Sequence, residues 1–323
     1  MIFQAARLLA FLLLGIPLAS AQTQSEALAL MNRAVQASQH TAYLGTFVYQ
    51  SGSSVETSRI AHYVDADGNS IERLEVLDGS PREVVRINDE VRCYLPKEKV
   101  VIEDRRGSRK TFPSLLPQSV GALTDFYSVS KGPSGRVAGF SAESVLLQPK
   151  DGFRYGYVFW IEAKSGLLLK ARMVNERGEA IEQFAFAQLQ IGLPLTRDDV
   201  RSRLASLSEG WTVHSANTTS GQNVDVGWAV SNDVPGFRQV AGMKRSLGPD
   251  RPDMVHMVFS DGLAAISVFI EPFRKEDGSF TGPMKHGAVN VFKRRVAGYV
   301  VTALGEVPPH SLQRMAEGVE QKR

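Results

Sequence analysis

The stretch FRYGYVFWIEAKSGLLLKARMVNERGEAIEQFAFAQL, residues 153–189, decides the fold class. Successive side chains of a β-strand point to opposite faces, so alternating aromatic and aliphatic positions mark a strand with one packed face. Three such runs occur here, FRYGYVFWIE, LLLKARMV and AIEQFAFAQL, separated by the turn clusters AKSG and NERGE. Parallel neighbours need crossover connections of a dozen or more residues, and these turns are far shorter. The segment is therefore an antiparallel meander in which strand order follows chain order.

The same texture extends outward in both directions. Upstream lie YLGTFVYQ, ETSRIAHYV, SIERLEVLD, REVVRI, VRCYL and KVVIED, punctuated by DADGN, LDGSP, NDE and LPKEK, and later SAESVLLQPK. About ten strands of one long curved sheet are expected. Ahead of them, residues 25–38 place Leu28, Met31 and Val35 at helical spacing behind a serine, which predicts an amphipathic helix. Between residues 105 and 131 the alternation fades, and one or two helices are expected. Residues 193–221 turn polar and rich in Ser and Thr and read as a linker. A smaller unit follows over 222–323, with six strands, a Ser260-Asp261-Gly262 hairpin turn and a closing helix over 308–321. The large unit occupies 22–192.

Length and composition narrow the function classes. The chain has 323 residues, 43% of them apolar, with 37 Lys and Arg against 34 Asp and Glu. An ordinary apolar fraction excludes wholesale disorder, and a net charge of +3 supplies no field for a nucleic-acid backbone. The length suits two domains with their own cores. One cysteine, Cys93, cannot form an internal disulfide. Residues 1–21 read as a cleaved signal peptide: Arg7, then a 12-residue apolar run over 8–19, then Ala19-Ser20-Ala21. That run is too short to span a bilayer, so a soluble exported protein starting at Gln22 is expected.

No signature of catalysis stands out. The chain lacks HExxH, GxSxG, P-loop and dinucleotide fingerprints, and its six histidines have no metal-ligand spacing. No cofactor or metal is expected. Ser128-Val129-Ser130-Lys131 matches the SxxK pattern of serine acyltransferases, but without the SDN and KTG elements that accompany it. Asp65 to Asn69 resembles the start of a calcium loop, yet Ser70 and Val76 stand where Gly and Glu are required, so it reads as a hairpin turn.

Two features point to binding. Phe153, Tyr155, Tyr157 and Phe159 alternate on what reads as one strand, and Phe47 with Tyr49 and Phe184 with Phe186 form similar pairs. Side by side they give a sheet an aromatic face, either core under covering helices or the lining of an apolar cavity. The second feature is the basic run holding Arg105, Arg106, Arg109 and Lys110, either a solvated loop or a contact for lipid phosphates or an acidic partner.

The phrases YLGTFVYQ, DGSPREVVRIND, RYGYVFWIEAKSGLLLKARMVNERGEAIEQFAFAQL, VPGFRQV, FSDGLAAISVFIEP and VVTALGEVP resemble the MucB/RseB family, in the family's order and across nearly the whole chain. The resemblance implies an α+β, mainly antiparallel β fold: a large N-terminal half-open β-barrel with helices, like LolA and LolB, plus a smaller C-terminal α+β domain. It implies a non-enzymatic periplasmic regulator. Such a protein binds the periplasmic region of a MucA/RseA-type transmembrane anti-sigma factor, shields it from site-1 proteolysis, and so restrains an envelope-stress sigma factor. Lipid, lipoprotein or lipopolysaccharide ligands would release it. A homo-oligomer stays open, and nucleic acid is not an expected partner. The alternatives are a periplasmic lipid or lipoprotein carrier with no regulatory partner, and, from Ser128 and Lys131 alone, an envelope hydrolase.

Overall fold

A computed structural model describes residues 16–322 apart from 89, 106–115, 117–119, 202–203, 216–217, 222–224, 232–233, 246–253 and 275–280. Helix α1 (Ile16–His40) precedes the strands β1 (Tyr43–Ser51), β2 (Ser54–Val64), β3 (Ser70–Val76), β4 (Arg82–Ile87), β5 (Glu90–Leu95) and β6 (Val100–Arg105). A 3-10 turn (Gly121–Asp125) leads into β7 (Tyr127–Lys131), β8 (Gly135–Val137), β9 (Phe140–Pro149), β10 (Gly156–Glu162), β11 (Leu168–Val174) and β12 (Ala180–Ile191). Then come the short helices α2 (Arg197–Val200) and α3 (Leu204–Leu207) and strand β13 (Thr212–Ser215).

These strands form one 13-stranded sheet in the order β13-β6-β5-β4-β3-β2-β1-β12-β11-β10-β9-β7, with β8 paired to β9. The order has two open ends, so the described sheet does not close into a barrel. Its pairings are antiparallel except that between β13 and β6. The turns do what their residues predict: the Asp65 carboxylate accepts from the backbone N–H groups of Asp67 and Asn69 and from the Asn69 side chain, closing the β2–β3 hairpin.

Each face of the sheet has its own cover. Helix α1 packs Ala27, Leu30, Met31 and Ala34 against Tyr43, Phe47, Ile60, Phe159, Phe184 and Phe186, all buried. On the opposite face, Ala61, Ile71, Val85, Tyr94 and Val101 form a separate cluster under Val200, with Leu195, Leu204 and Trp211 packed around it. The last cluster corrects the linker reading of 193–221. Thr196 caps α2 through a reciprocal pair with Asp199, Val200 is buried, and β13 extends the large sheet, so residues 195–215 are part of that domain. Burial of a few apolar side chains on the far face outweighs the segment's polar composition.

The smaller unit contains β14 (Thr218–Gly221), β15 (Trp228–Val230), β16 (Arg238–Arg245), β17 (Met254–Ser260), β18 (Ala265–Pro272), β19 (Gly282–His286), β20 (Val289–Val296), β21 (Tyr299–Gly305), α4 (Pro309–Glu317) and β22 (Val319–Gln321). Its main sheet runs β14-β16-β17-β18-β21-β20-β19, while β15 pairs with β22. Helix α4 buries Leu312, Met315 and Ala316 against Met257, Ile266, Val268 and Val301. It is shorter than the helix expected over 308–321. Gly318 ends it, and Val319 to Gln321 form β22 on Trp228 to Val230. Among the described residues no helix is long and apolar enough to cross a membrane.

Candidate functional site

Six of the eight aromatic candidates share one face of the large sheet. Strand pairing places Phe47 beside Phe186 and Tyr49 beside Phe184. The Phe47 and Phe184 ring centroids lie 4.6 Å apart edge to face, and Tyr157 stacks on Phe159 at 5.7 Å. Phe47, Phe159, Phe184 and Phe186 are buried in the core beneath α1, and Tyr49 and Tyr157 pack at its margin, half-buried. Helix α1 thus fills the space that an open lining would leave. An open recess of about 780 Å³ lies instead beside the outer side of α1, between Asn32, Arg33, Gln36, His40 and Ser165, and touches none of the eight.

Phe153 and Tyr155 are elsewhere, which corrects the reading of four alternating aromatics on one strand. Strand β10 begins at Gly156, and the two residues belong to the loop before it. A Cβ at Gly156 would stand 3.1 Å from both the Leu147 carbonyl oxygen and a Val174 methyl, so the chain enters the sheet at a position that only glycine fills without displacement. Phe153 packs with the core of the smaller domain, 5.3 Å from the His310 ring, and the Tyr155 hydroxyl accepts a hydrogen bond from Asn290 Nδ2 at 3.2 Å. Of the basic candidates, Arg105 is the last residue of β6, while Arg106, Arg109 and Lys110 lie outside the described residues.

That loop builds the junction between the domains. Its centre is Arg154, whose side chain is fully buried. Its Nη1 donates to Asp261 Oδ2 at 2.6 Å, its Nε to Asp151 Oδ1 at 3.0 Å, and its Nη2 to the Pro235 carbonyl. The guanidinium stands 4.6 Å from the Phe126 ring centroid and 5.1 Å from that of Phe237. The Tyr127 hydroxyl also donates to Asp261 Oδ2, at 3.1 Å, and burial followed by the Asp261 charge raises that phenol far above its ordinary pKa. Asp261 Oδ1 meanwhile accepts from the N–H groups of Leu263 and Ala264. The Ser260-Asp261-Gly262 turn expected from the sequence is therefore present and also holds the counter-ion of the other domain. Ser311 Oγ donates to the Phe153 carbonyl and the Ala288 N–H donates to Ser51 Oγ, widening the contact.

A second polar row crosses the α1 face of the large sheet. Register places Tyr43, His62, Glu72 and Arg86 side by side on β1 to β4. Arg86 pairs with Glu72 at 3.2 Å, yet burial outweighs the arginine and pushes the Glu72 carboxyl up to about 7. Burial likewise lowers His62, whose Nδ1 lies 2.9 Å from the Thr41 carbonyl oxygen.

Neither row has a nucleophile aligned with a base. Ser128 and Lys131 sit on strand β7, not on a helix, so the one-turn spacing that SxxK chemistry needs is missing, and Lys131 Nζ pairs with Glu143 at 2.8 Å. Among the described residues no group of three or more His, Cys, Asp or Glu side chains is placed to hold a metal ion.

A family model of the MucB/RseB N-terminal domain matches residues 26–204, and one of the MucB/RseB C-terminal domain matches residues 222–320. The chain belongs to the MucB/RseB family. It is 33% identical over 314 residues to the sigma factor AlgU regulatory protein MucB of Pseudomonas aeruginosa, covering 94% of each chain. It is 24% identical over 293 residues to the sigma-E factor regulatory protein RseB of Escherichia coli K12, covering 90% of each. Two solved structures of MucB bound to MucA superpose with TM-scores of 0.73 and 0.71 at 28% identity. In both, 92% of this chain and 99% of the other are covered. The mainly antiparallel two-domain fold expected from the MucB/RseB resemblance is the fold observed.

Proposed function

We propose that this chain is a periplasmic regulator that binds the periplasmic region of a MucA/RseA-type anti-sigma factor, shields it from site-1 proteolysis and so restrains an envelope-stress sigma factor. The observation that carries the reading is that both domains match the family, and that the whole two-domain chain superposes on MucB in complex with MucA(peri). Relatives of similar length are named as sigma factor regulatory proteins, which supports a binding role over a catalytic one. Export after cleavage at Ala21 would place the mature chain in the same compartment as such a partner.

Release by a lipid-like ligand belongs to the same proposal. Tyr49 and Tyr157, at the margin of the aromatic core and beside the domain junction, are the candidates an acyl chain reaches first, with Phe47, Phe159, Phe184 and Phe186 accessible to it only after α1 shifts. A ligand that binds the shifted form better moves the population by its differential affinity.

The test is a pull-down from an envelope extract with the full mature chain, followed by protection of the captured anti-sigma segment against its site-1 protease. Recovery and protection are expected. Failure to retain any anti-sigma factor contradicts the proposal.

A further inference from the structure

The junction holds a second contact, beside the Arg154 pair, where the Glu182 carboxyl of the large domain lies within electrostatic reach of the Glu306 carboxyl of the smaller one. Glu182 begins this contact on β12, where it is the register partner of Ser51 on β1. Ser51 Oγ accepts from the Ala288 N–H of the smaller domain at 2.9 Å, and the two turns are so close that a Cβ on Gly287 would stand 2.8 Å from that oxygen. On the other side, Glu306 directly follows β21. It is fixed between Gly305, the register partner of Asn290, and Val307, whose carbonyl accepts from Asn290 Nδ2 at 2.8 Å. The same Asn290 reaches across to Tyr155. The Oε2 atom of Glu182 is buried without a hydrogen-bond partner. An ionised carboxylate buried in that way is expensive, whereas a neutral carboxylic acid leaves far less charge unsolvated.

We propose that the domain junction is a proton-operated lock: Glu182 carries its proton when the domains are closed over Glu306, and loss of that proton loosens the closed arrangement. The charged and titratable groups around the spot favour this. Those acting on Glu182 are Glu306 from the smaller domain, whose charge favours the protonated form, and Tyr49 from β1, whose hydrogen bond favours the ionised form and is outweighed by burial and Glu306; among the described residues no cation acts on it. Tyr157 on β10 feels Asp261, Glu306 and Glu182, and Asp261 is already held by Arg154. Tyr155 feels Glu176. Burial and then the Glu306 charge push the Glu182 carboxyl up to about 8. A carboxyl group whose pKa is higher in the closed form than in an open, solvated form favours closure at acid pH. That advantage is lost as pH rises from the ordinary carboxyl range toward about 8. The lock concerns the two domains alone and does not depend on the identity of the partner.

The test uses the full mature chain carrying Cys93→Ser, with spin labels on Asp67→Cys in the large domain and Met284→Cys in the smaller one. Pulsed EPR reads the interdomain distance between pH 5.5 and 8.5. In the otherwise native chain, the closed-to-open ratio is expected to fall at least about tenfold across that range, a change that a closed-form pKa about two units above the ordinary carboxyl value suffices to produce. Glu182→Gln, a neutral isostere, is expected to stay closed throughout, and Glu306→Gln to move the transition to lower closed-state pKa and narrow it. A distance that does not change with pH in the native chain overturns the proposal, as does a Glu182→Gln variant that opens over the same range.

Discussion

Arg154 shows what a single buried side chain does for this molecule. A guanidinium removed from water needs a close counter-charge, and here, besides the partly exposed Asp151 in the same loop, the fully buried one lies 107 residues away in sequence, in the other domain. Replacing it by methionine leaves Asp261 buried opposite an apolar group. Arg154→Met is expected to destabilise the chain by about 3 kcal/mol in urea unfolding, whereas replacing both partners with apolar residues recovers part of the loss. A cost below a few tenths of a kcal/mol means that the pair is not structural. Glu72 makes a pH prediction of opposite character. Its carboxyl pKa is raised to about 7 in the folded chain, so the unfolded chain binds fewer protons than the native one between the ordinary carboxyl range and about 7. Stability therefore falls as pH rises through that window and levels off above it. Glu72→Gln should flatten the dependence of the urea midpoint on pH over the same interval, and an unchanged slope contradicts the assignment. None of this was legible in the sequence, because nothing near Arg154 marks its partner in the other domain, and the row from Tyr43 to Arg86 exists only through strand register.

At the scale of elements, period-two alternation was sufficient for β10, β11 and β12, whose inward residues are large and whose turns are short. It failed where a local pattern ran past a structural boundary. The aromatic alternation from Phe153 continues smoothly through Gly156, but the strand does not, since Gly156 is where the backbone is pressed between Leu147 and Val174. It failed again over 195–215, where a polar segment is held by one buried valine, a capping box and a four-residue parallel strand, features that depend on a distant sheet being there to receive them. Val200→Asp should accordingly increase hydrogen exchange in β2 to β5 and leave the smaller domain unaffected. Equal protection in both chains contradicts that packing. Gly45 is a second element-level device. A Cβ there would meet the Phe186 ring at 2.6 Å, so Gly45→Ala forces that ring off its neighbours Tyr43 and Phe47. A loss of about 2 kcal/mol in unfolding free energy is expected, and a neutral substitution contradicts the overlap.

At the scale of the whole molecule, the two domains join through buried polar groups, which makes their arrangement specific and responsive to charge. The aromatic face that suggested a ligand cavity is covered by α1, so any apolar ligand must compete with the helix for the same surface. The family, by contrast, was legible from phrases spread along the chain, which fall on strands and turns of both domains. The central claim is that this arrangement grips another protein. Isothermal titration of the full mature chain with the periplasmic segment of the anti-sigma factor from the same cell tests it most directly. Saturable binding, weakened by Arg154→Met, is the predicted result. Absence of heat and of co-elution with a folded chain and an intact segment contradicts it.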